Sequence, residues 1–180
     1  LVAAFNLAAV HSSPAVVDFT KLEWMNGEYI RQLSPVELLA AARTASTLPN
    51  APEDFLLRVL TLEQPRLKRL DAIPAWYFQP VNRYEVPIAW KHADAQTTRH
   101  NLQELYAKLE SIDLWPDTPQ ELEAVVKPWL GERGMGVGET LWPMRVALSG
   151  QRASPSPFEL AWLFEKKETL QRIQHAIASL

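Results

Sequence analysis

The segment Pro143-Met144-Arg145-Val146-Ala147-Leu148-Ser149-Gly150 places one arginine among apolar residues and ends on a glycine, and shortly after it the chain reads Ser154-Pro155-Ser156-Pro157-Phe158-Glu159. The second segment is a helix start. Ser156 can accept from a free backbone N–H, Pro157 suits the first helical position, and Glu159 can reach back to the cap. Helix starts present unpaired N–H groups and a partial positive charge, which favour phosphate. Phe158, in the first turn, could stack on an unpaired base, and Arg145 could fork to a base edge or a phosphate. The same two residues also fit a structural use, Phe158 as a core residue or staple and Arg145 as the partner of an ion pair.

Other chemistry finds little support. His11, His92, His100 and His175 share no ligand spacing, and HExxH is absent, so no metal site is expected and these read as surface or cap residues. The stretch Gly131 to Gly138 (GERGMGVG) fits neither GxGxxG nor GxxxxGK[ST], and no strand precedes it. It reads as a turn between helices that needs positive φ. The chain contains 0 cysteines, which excludes a disulfide scaffold, thiolate-held metal and a thiol nucleophile. No paired carboxylates or Ser/His/Asp set can be picked out, and no catalytic residue is assigned.

The elements that must position these residues are helices. Ser34-Pro35-Val36-Glu37, Thr118-Pro119-Gln120-Glu121 and Ser156-Pro157-Phe158-Glu159 repeat one capping device, with proline at the first helical position. Helical spacing groups Phe19, Leu22, Met25, Tyr29 and Leu33 on one face. It does the same for Leu38, Leu39, Ala42 and Ala45, and for Phe55, Leu56, Val59, Leu60 and Leu62. Thr97 to Ile112 carries Leu102, Leu105, Tyr106, Leu109 and Ile112, and the last helix carries Leu170, Ile173, Ile177 and Leu180. Val81 to Lys91 is the best strand candidate, but Pro87 interrupts it, so it reads as an extended linker. The expected fold is all-α: two small helical modules, 1–85 and 86–180, joined by a proline-rich connection.

Composition bounds the function. The chain has 180 residues, 47% hydrophobic and 22% charged, with net charge −3. That is ordinary for a globular protein and long enough for one domain or two small ones. There is no apolar run of about 18 residues, the length a membrane span needs. Leu1 to Val10 are apolar but lack a basic leader and a cleavage-type sequel, so no signal peptide is expected; the default compartment is the cytoplasm. Bulk acidity argues against nucleic-acid binding, yet the charge is uneven. Residues 55–91 carry six basic and three acidic side chains, residues 93–126 two and seven, and residues 127–180 seven and five. Two mildly basic segments flank an acidic helical pair.

Two strings resemble a known family. Asp18-Phe19-Thr20-Lys21-Leu22-Glu23-Trp24-Met25-Asn26-Gly27-Glu28-Tyr29-Ile30-Arg31 is similar to the segment that follows the catalytic core in bacterial-type glutamyl-tRNA synthetases. Trp142 to Gly150, continued by Ser154 to Glu159, resembles the same family's C-terminal anticodon-binding module. The order and separation are right, and the likeness spans essentially the whole chain. It implies a helical stem-contact domain followed by an anticodon-binding helical bundle. It also implies that the chain is the C-terminal part of a longer enzyme, since the HIGH-like and KMSKS-like signatures of the catalytic domain do not occur. ATP and magnesium are expected only for that domain, so no cofactor is assigned here.

The resemblance supplies roles residue by residue. An arginine at the place of Arg145 contacts the anticodon, as does the loop corresponding to Ser154, Pro155, Ser156, Pro157 and Phe158. A basic residue at the place of Lys127 lies near the anticodon loop. Arg66 falls where some members check the third anticodon letter. Gly136 and Glu139 stand where members usually carry lysines, so neither is assigned, with Arg133 the expected replacement. Lys127, Arg133 and Arg152 are expected to hold phosphates. The expected partners are glutamate tRNA, with glutamine tRNA the second candidate, and the enzyme's own N-terminal catalytic domain; a monomer is the default. The alternative is a helical protein–protein interaction module without RNA binding.

Overall fold

The computed structural model describes residues 16–45 and 48–180. Leu1 to Val10 and His11 lie outside them. The described residues form seven α-helices: α1 Phe19–Gln32, α2 Pro35–Ala45, α3 Glu53–Glu63, α4 Ala95–Glu110, α5 Pro119–Glu132, α6 Val137–Ser149 and α7 Pro157–Ser179. Two short 3-10 turns, Leu70–Ala72 and Ala75–Phe78, lie between α3 and α4. No strand occurs among the described residues, so the fold is all-α as expected. None of these helices is long and apolar enough to cross a membrane.

Local chemistry explains where the helices start. Ser34 and Glu37 exchange hydrogen bonds, Ser34 N to Glu37 Oε2 at 2.8 Å and Glu37 N to Ser34 Oγ at 3.3 Å. Ser156 and Glu159 complete the same reciprocal box at the start of α7. The Thr118 device is half of one: Glu121 N donates to Thr118 Oγ1 at 3.2 Å, while the Glu121 carboxylate accepts from Asp117 N instead. Asp94, an unpredicted cap, accepts from Thr97 N at 2.6 Å and starts α4. Not every proline sits at a helix start. Pro128 and Pro143 lie inside α5 and α6, where each removes one N–H donor.

The apolar faces bury into two clusters. The smaller joins Ile30 of α1, Leu38, Leu39 and Ala42 of α2, and Leu56 and Leu60 of α3 with Leu67. The larger is centred on α4, α6 and α7, with Leu102, Leu105, Met144, Leu148, Leu160 and Ile173. Helix α3 serves both, because Val59 and Leu62 on its other side enter the larger cluster. On α1 the helix is as expected but the buried face is not. Phe19 (75%), Trp24 (57%) and Tyr29 (65%) are exposed, and α1 buries Gly27 and Ile30. The reason is polar. Asn26 Nδ2 donates to the carbonyl of Lys68 at 2.6 Å, and a Cβ on Gly27 would stand 3.2 Å from the carbonyl of Leu67. Gln64 completes the seam, donating to the carbonyls of Ile30 and Leu33 at 2.9 and 2.8 Å.

The proline-rich connection is irregular but not free. Glu85 N donates to the carbonyl of Gly150 at 2.8 Å, and Trp142 Nε1 donates to the carbonyl of Pro87 at 3.3 Å. Gly150 caps α6 at φ 71°, and an added Cβ would meet the carbonyl of Arg83 at 2.8 Å. Only glycine allows both the left-handed turn and that approach. Gly134 (φ 63°) turns α5 into α6, as expected of the glycine-rich stretch. Buried Arg172 of α7 gathers the pieces. It donates to the carbonyls of Leu148 at 2.7 Å and Gln79 at 3.1 Å, and its guanidinium lies 3.8 Å above the Phe164 ring.

Candidate nucleic-acid interface

Arg145 sits near the C-terminal end of α6, on the side facing the start of α7. Its Nη1 donates to Ser154 Oγ at 2.8 Å and its Nη2 to the carbonyl of Arg152 at 3.2 Å. Its guanidinium also lies 4.4 Å from the Trp142 ring centroid, since positions three apart meet on one helix face. Partial burial pulls Arg145 below the ordinary arginine value. Its donors go to neutral oxygens rather than to the carboxylate that an ion-pair role requires. A guanidinium held this way keeps its positive charge available to an anion or a base edge.

Ser154 to Phe158 is the loop that Arg145 holds. Ser156 is exposed and Pro157 half-buried, while Pro155 is buried. Phe158 is only 4% exposed and lies in the larger core. Its expected role as an open stacking ring is therefore corrected: the ring supports the loop from beneath, which is the core position that its sequence also fitted. The more accessible aromatic neighbour is the half-buried Trp142, to which no role is assigned from sequence. Its spacing from Arg145 is the signal that points to it. The base of the loop is fixed from the connection side, where Arg152 N donates to Glu85 Oε2 at 3.2 Å.

Arg66 approaches the same loop from the end of α3. Its Nη1 donates to the carbonyl of Leu62 at 2.7 Å, and its Nη2 is 3.6 Å from Glu159 Oε1. Beside it the buried Tyr77 hydroxyl donates to the buried carboxylate of Glu63. Burial first, then the Glu63 hydrogen bond, pushes the Tyr77 phenol far above its ordinary value. Arg145, Arg152, Ser154, Ser156, Pro157 and Arg66 are thus connected through the α7 start. Lys127 and Arg133 are exposed elsewhere. Lys127 pairs with Glu123 one turn earlier on α5, and Arg133 lies 3.3 Å from Glu104 of α4. Among the described residues no three His, Asp or Glu side chains form a group that could hold a metal ion.

The chain is 33% identical over 187 residues to the glutamate–tRNA ligase of Clostridium botulinum, covering 100% of this chain and 38% of that protein. It is 33% identical over 196 residues to the glutamate–tRNA ligase of Clostridium novyi, covering 100% of this chain and 39% of the relative. The chain therefore spans less than half the length of these curated relatives. A glutamate tRNA ligase from Elizabethkingia meningosepticum, solved in complex with its amino acid, superposes with a TM-score of 0.79 at 22% identity over 98% of this chain and 35% of that one. A glutamate-tRNA synthetase from Elizabethkingia anophelis gives 0.72 at 20% identity over 97% and 34%. At those identities the two structures speak for the fold. The anticodon binding domain family matches residues 28–177, a span that takes in Arg66, Arg145 and the whole α7 start, and the chain belongs to that family.

Proposed function

We propose that this chain reads the anticodon of a tRNA as the recognition part of a glutamate–tRNA ligase, with glutamate tRNA as its ligand. The observation that carries the reading is Arg145, charged and bonded at 2.8 Å to the neutral hydroxyl of Ser154 in the loop that starts α7. Anticodon bases are unstacked in a loop and can be read on their edges. In this reading they pack against Pro157 and the Trp142 ring, with Arg145 on a base edge and Phe158 as the buried support. Arg66 checks the third letter. Arg152 holds a phosphate, and Lys127 and Arg133 do so where the backbone runs past α5. Chemistry on ATP, magnesium and glutamate belongs to the ligase's catalytic domain.

That domain is also the proposed partner of α1. Support comes from the exposed Phe19, Leu22, Met25 and Tyr29 side chains, which helical spacing groups on one face of α1, since a protein surface seldom leaves so many large apolar groups together without a partner. The division at 85/86 into a stem-contact and an anticodon-binding module belongs to the same proposal. It is supported by the smaller core drawing on α1 to α3 with Leu67. The exposed face of α1 also favours the competing reading, a protein-interaction module that binds no RNA.

A gel shift separates the two. This chain is titrated against glutamate tRNA, glutamine tRNA and an anticodon-swapped glutamate tRNA at two salt concentrations. Preferential, salt-dependent binding of glutamate tRNA is the expected result. Equal binding of all three, or none, overturns the reading.

A further inference from the structure

In sequence, Glu159 is one half of a capping box. In the structure its carboxylate does two things at once. Oε2 accepts from Ser156 N at 2.6 Å, while Glu159 N donates to Ser156 Oγ at 3.2 Å. Oε1 faces Arg66 Nη2 at 3.6 Å. The first pair of bonds needs an oxygen acceptor but no charge, and glutamine serves as well as glutamate in such a box. The contact with Arg66 is different, because a guanidinium donor is held mainly by the negative charge.

Arg66 has few other restraints. It follows α3 in a turn, its side chain is about half exposed (48%), and its second anchor is the backbone carbonyl of Leu62 in its own segment. The nearby carboxylate of Glu63 is engaged by the Tyr77 hydroxyl. Glu159 therefore supplies the contact that ties Arg66 to another element, and that element is the start of α7.

We propose that Glu159 is a positioning residue that sets Arg66 in register with the Ser154–Pro157 loop, so that one carboxylate aligns two parts of the reading surface. The proposal rests on the anticodon reading given above for Arg66. It makes the selectivity of the third letter depend on a residue that need not touch the RNA.

The test compares Glu159→Gln, Arg66→Ala and the double variant in the full chain. Thermal midpoints are measured alongside binding of glutamate tRNA and of transcripts altered at the third anticodon letter. Glu159→Gln is expected to keep the midpoint close to that of the parent, because the cap survives. It is expected to reduce third-letter discrimination about two- to fivefold, the range a partly exposed ion pair converts to. Discrimination at the other two letters is expected to hold. In the Arg66→Ala background the same change is expected to add nothing further. Unchanged third-letter discrimination in Glu159→Gln, with discrimination lost in Arg66→Ala, overturns the positioning role and leaves the Arg66 reading standing. Intact discrimination in Arg66→Ala overturns both. A lowered midpoint with equal weakening toward every transcript shows Glu159 to be a helix cap alone and overturns the positioning role.

Discussion

Arg145 Nη1 and Ser154 Oγ stand 2.8 Å apart, and this bond crosses from the last turns of α6 to the loop that opens α7. It joins the cation to the loop directly, without an intervening carboxylate. The Trp142 ring closes the other side of the guanidinium at 4.4 Å.

Arg145→Ala is expected to weaken binding of glutamate tRNA far more than Lys21→Ala, because Lys21 lies exposed in the first turn of α1, outside this contact. Ser154→Ala removes the hydroxyl that accepts from Arg145 and donates to the carbonyl of Pro155; the lost bond to Arg145 is about 1 kcal/mol and the charge stays, so a loss of about fivefold is expected. Filter binding at fixed ionic strength checks the order. Equal affinities for the Arg145 and Lys21 variants refute the assignment.

The proposed phosphate contacts are separable by salt. A contact to a single strand adds about 0.7 to the slope of log K against log salt. Arg152 is exposed, and its replacement by alanine is expected to lower the slope by about that amount. Lys127 and Arg133 are each paired with a carboxylate, Glu123 and Glu104, so part of their charge is already neutralised. Lys127→Ala and Arg133→Ala are expected to change the slope less than Arg152→Ala. A larger change at Lys127 would move the RNA path toward α5.

The difference between Arg152 and Lys127 shows where sequence reading stops. Capping boxes at Ser34 and Ser156 are legible because donor and acceptor lie three residues apart, within one turn. The left-handed turns at Gly134 and Gly150 are legible because glycine there has a local reason. Pairings such as Arg66 with Glu159, or Arg152 N with Glu85, join segments far apart in the chain, and no local rule announces them. Periodicity groups Phe19, Leu22, Met25 and Tyr29 correctly on a helix. It cannot say that α1 docks through Asn26 and Gly27 instead. The apolar stripe and the docking face are different surfaces, because two backbone carbonyls, of Leu67 and Lys68, claim the latter.

Acid stability follows from the caps. The Asp94 carboxyl is held below its ordinary value, chiefly by the backbone N–H of Thr97. A group whose folded value is depressed contributes stability above its unfolded value, about 4. That contribution is lost as pH falls through the lower folded value. Asp94→Asn keeps an oxygen for the cap, and asparagine caps about as well as aspartate. The variant is therefore expected to match the parent near neutrality and to lose less stability on acidification. Urea midpoints measured from neutral pH down to about pH 2.5 decide it. Parallel curves for the two proteins would place the acid sensitivity elsewhere.

Glu165 is the most unusual backbone position in the molecule's last helix, with φ 58° and ψ 175° in the middle of α7. No glycine or proline marks the break, and helical spacing runs straight through it. Such a conformation costs an ordinary residue about 1–3 kcal/mol, and glycine adopts it freely. What holds it is visible on both sides. The Glu165 carboxylate pairs with Arg58 of α3, and Lys166 Nζ donates to the carbonyls of Glu110 and Ile112 at 2.7 and 2.6 Å. The Arg58 pair is partly exposed and contributes about 0–1 kcal/mol. Glu165→Ala loses that pair and keeps the strain, whereas Glu165→Gly loses the pair and relieves it. Glycine also raises the entropy of the unfolded chain, a cost of about 0.4–1 kcal/mol. Relief of the strain outweighs that cost. Glu165→Gly is therefore expected to be more stable than Glu165→Ala by about 1 kcal/mol, the reverse of the helix-propensity order. Denaturant titration of the two variants measures the difference, and an alanine variant the more stable of the two would mean that the chain at Glu165 relaxes into continuous helix.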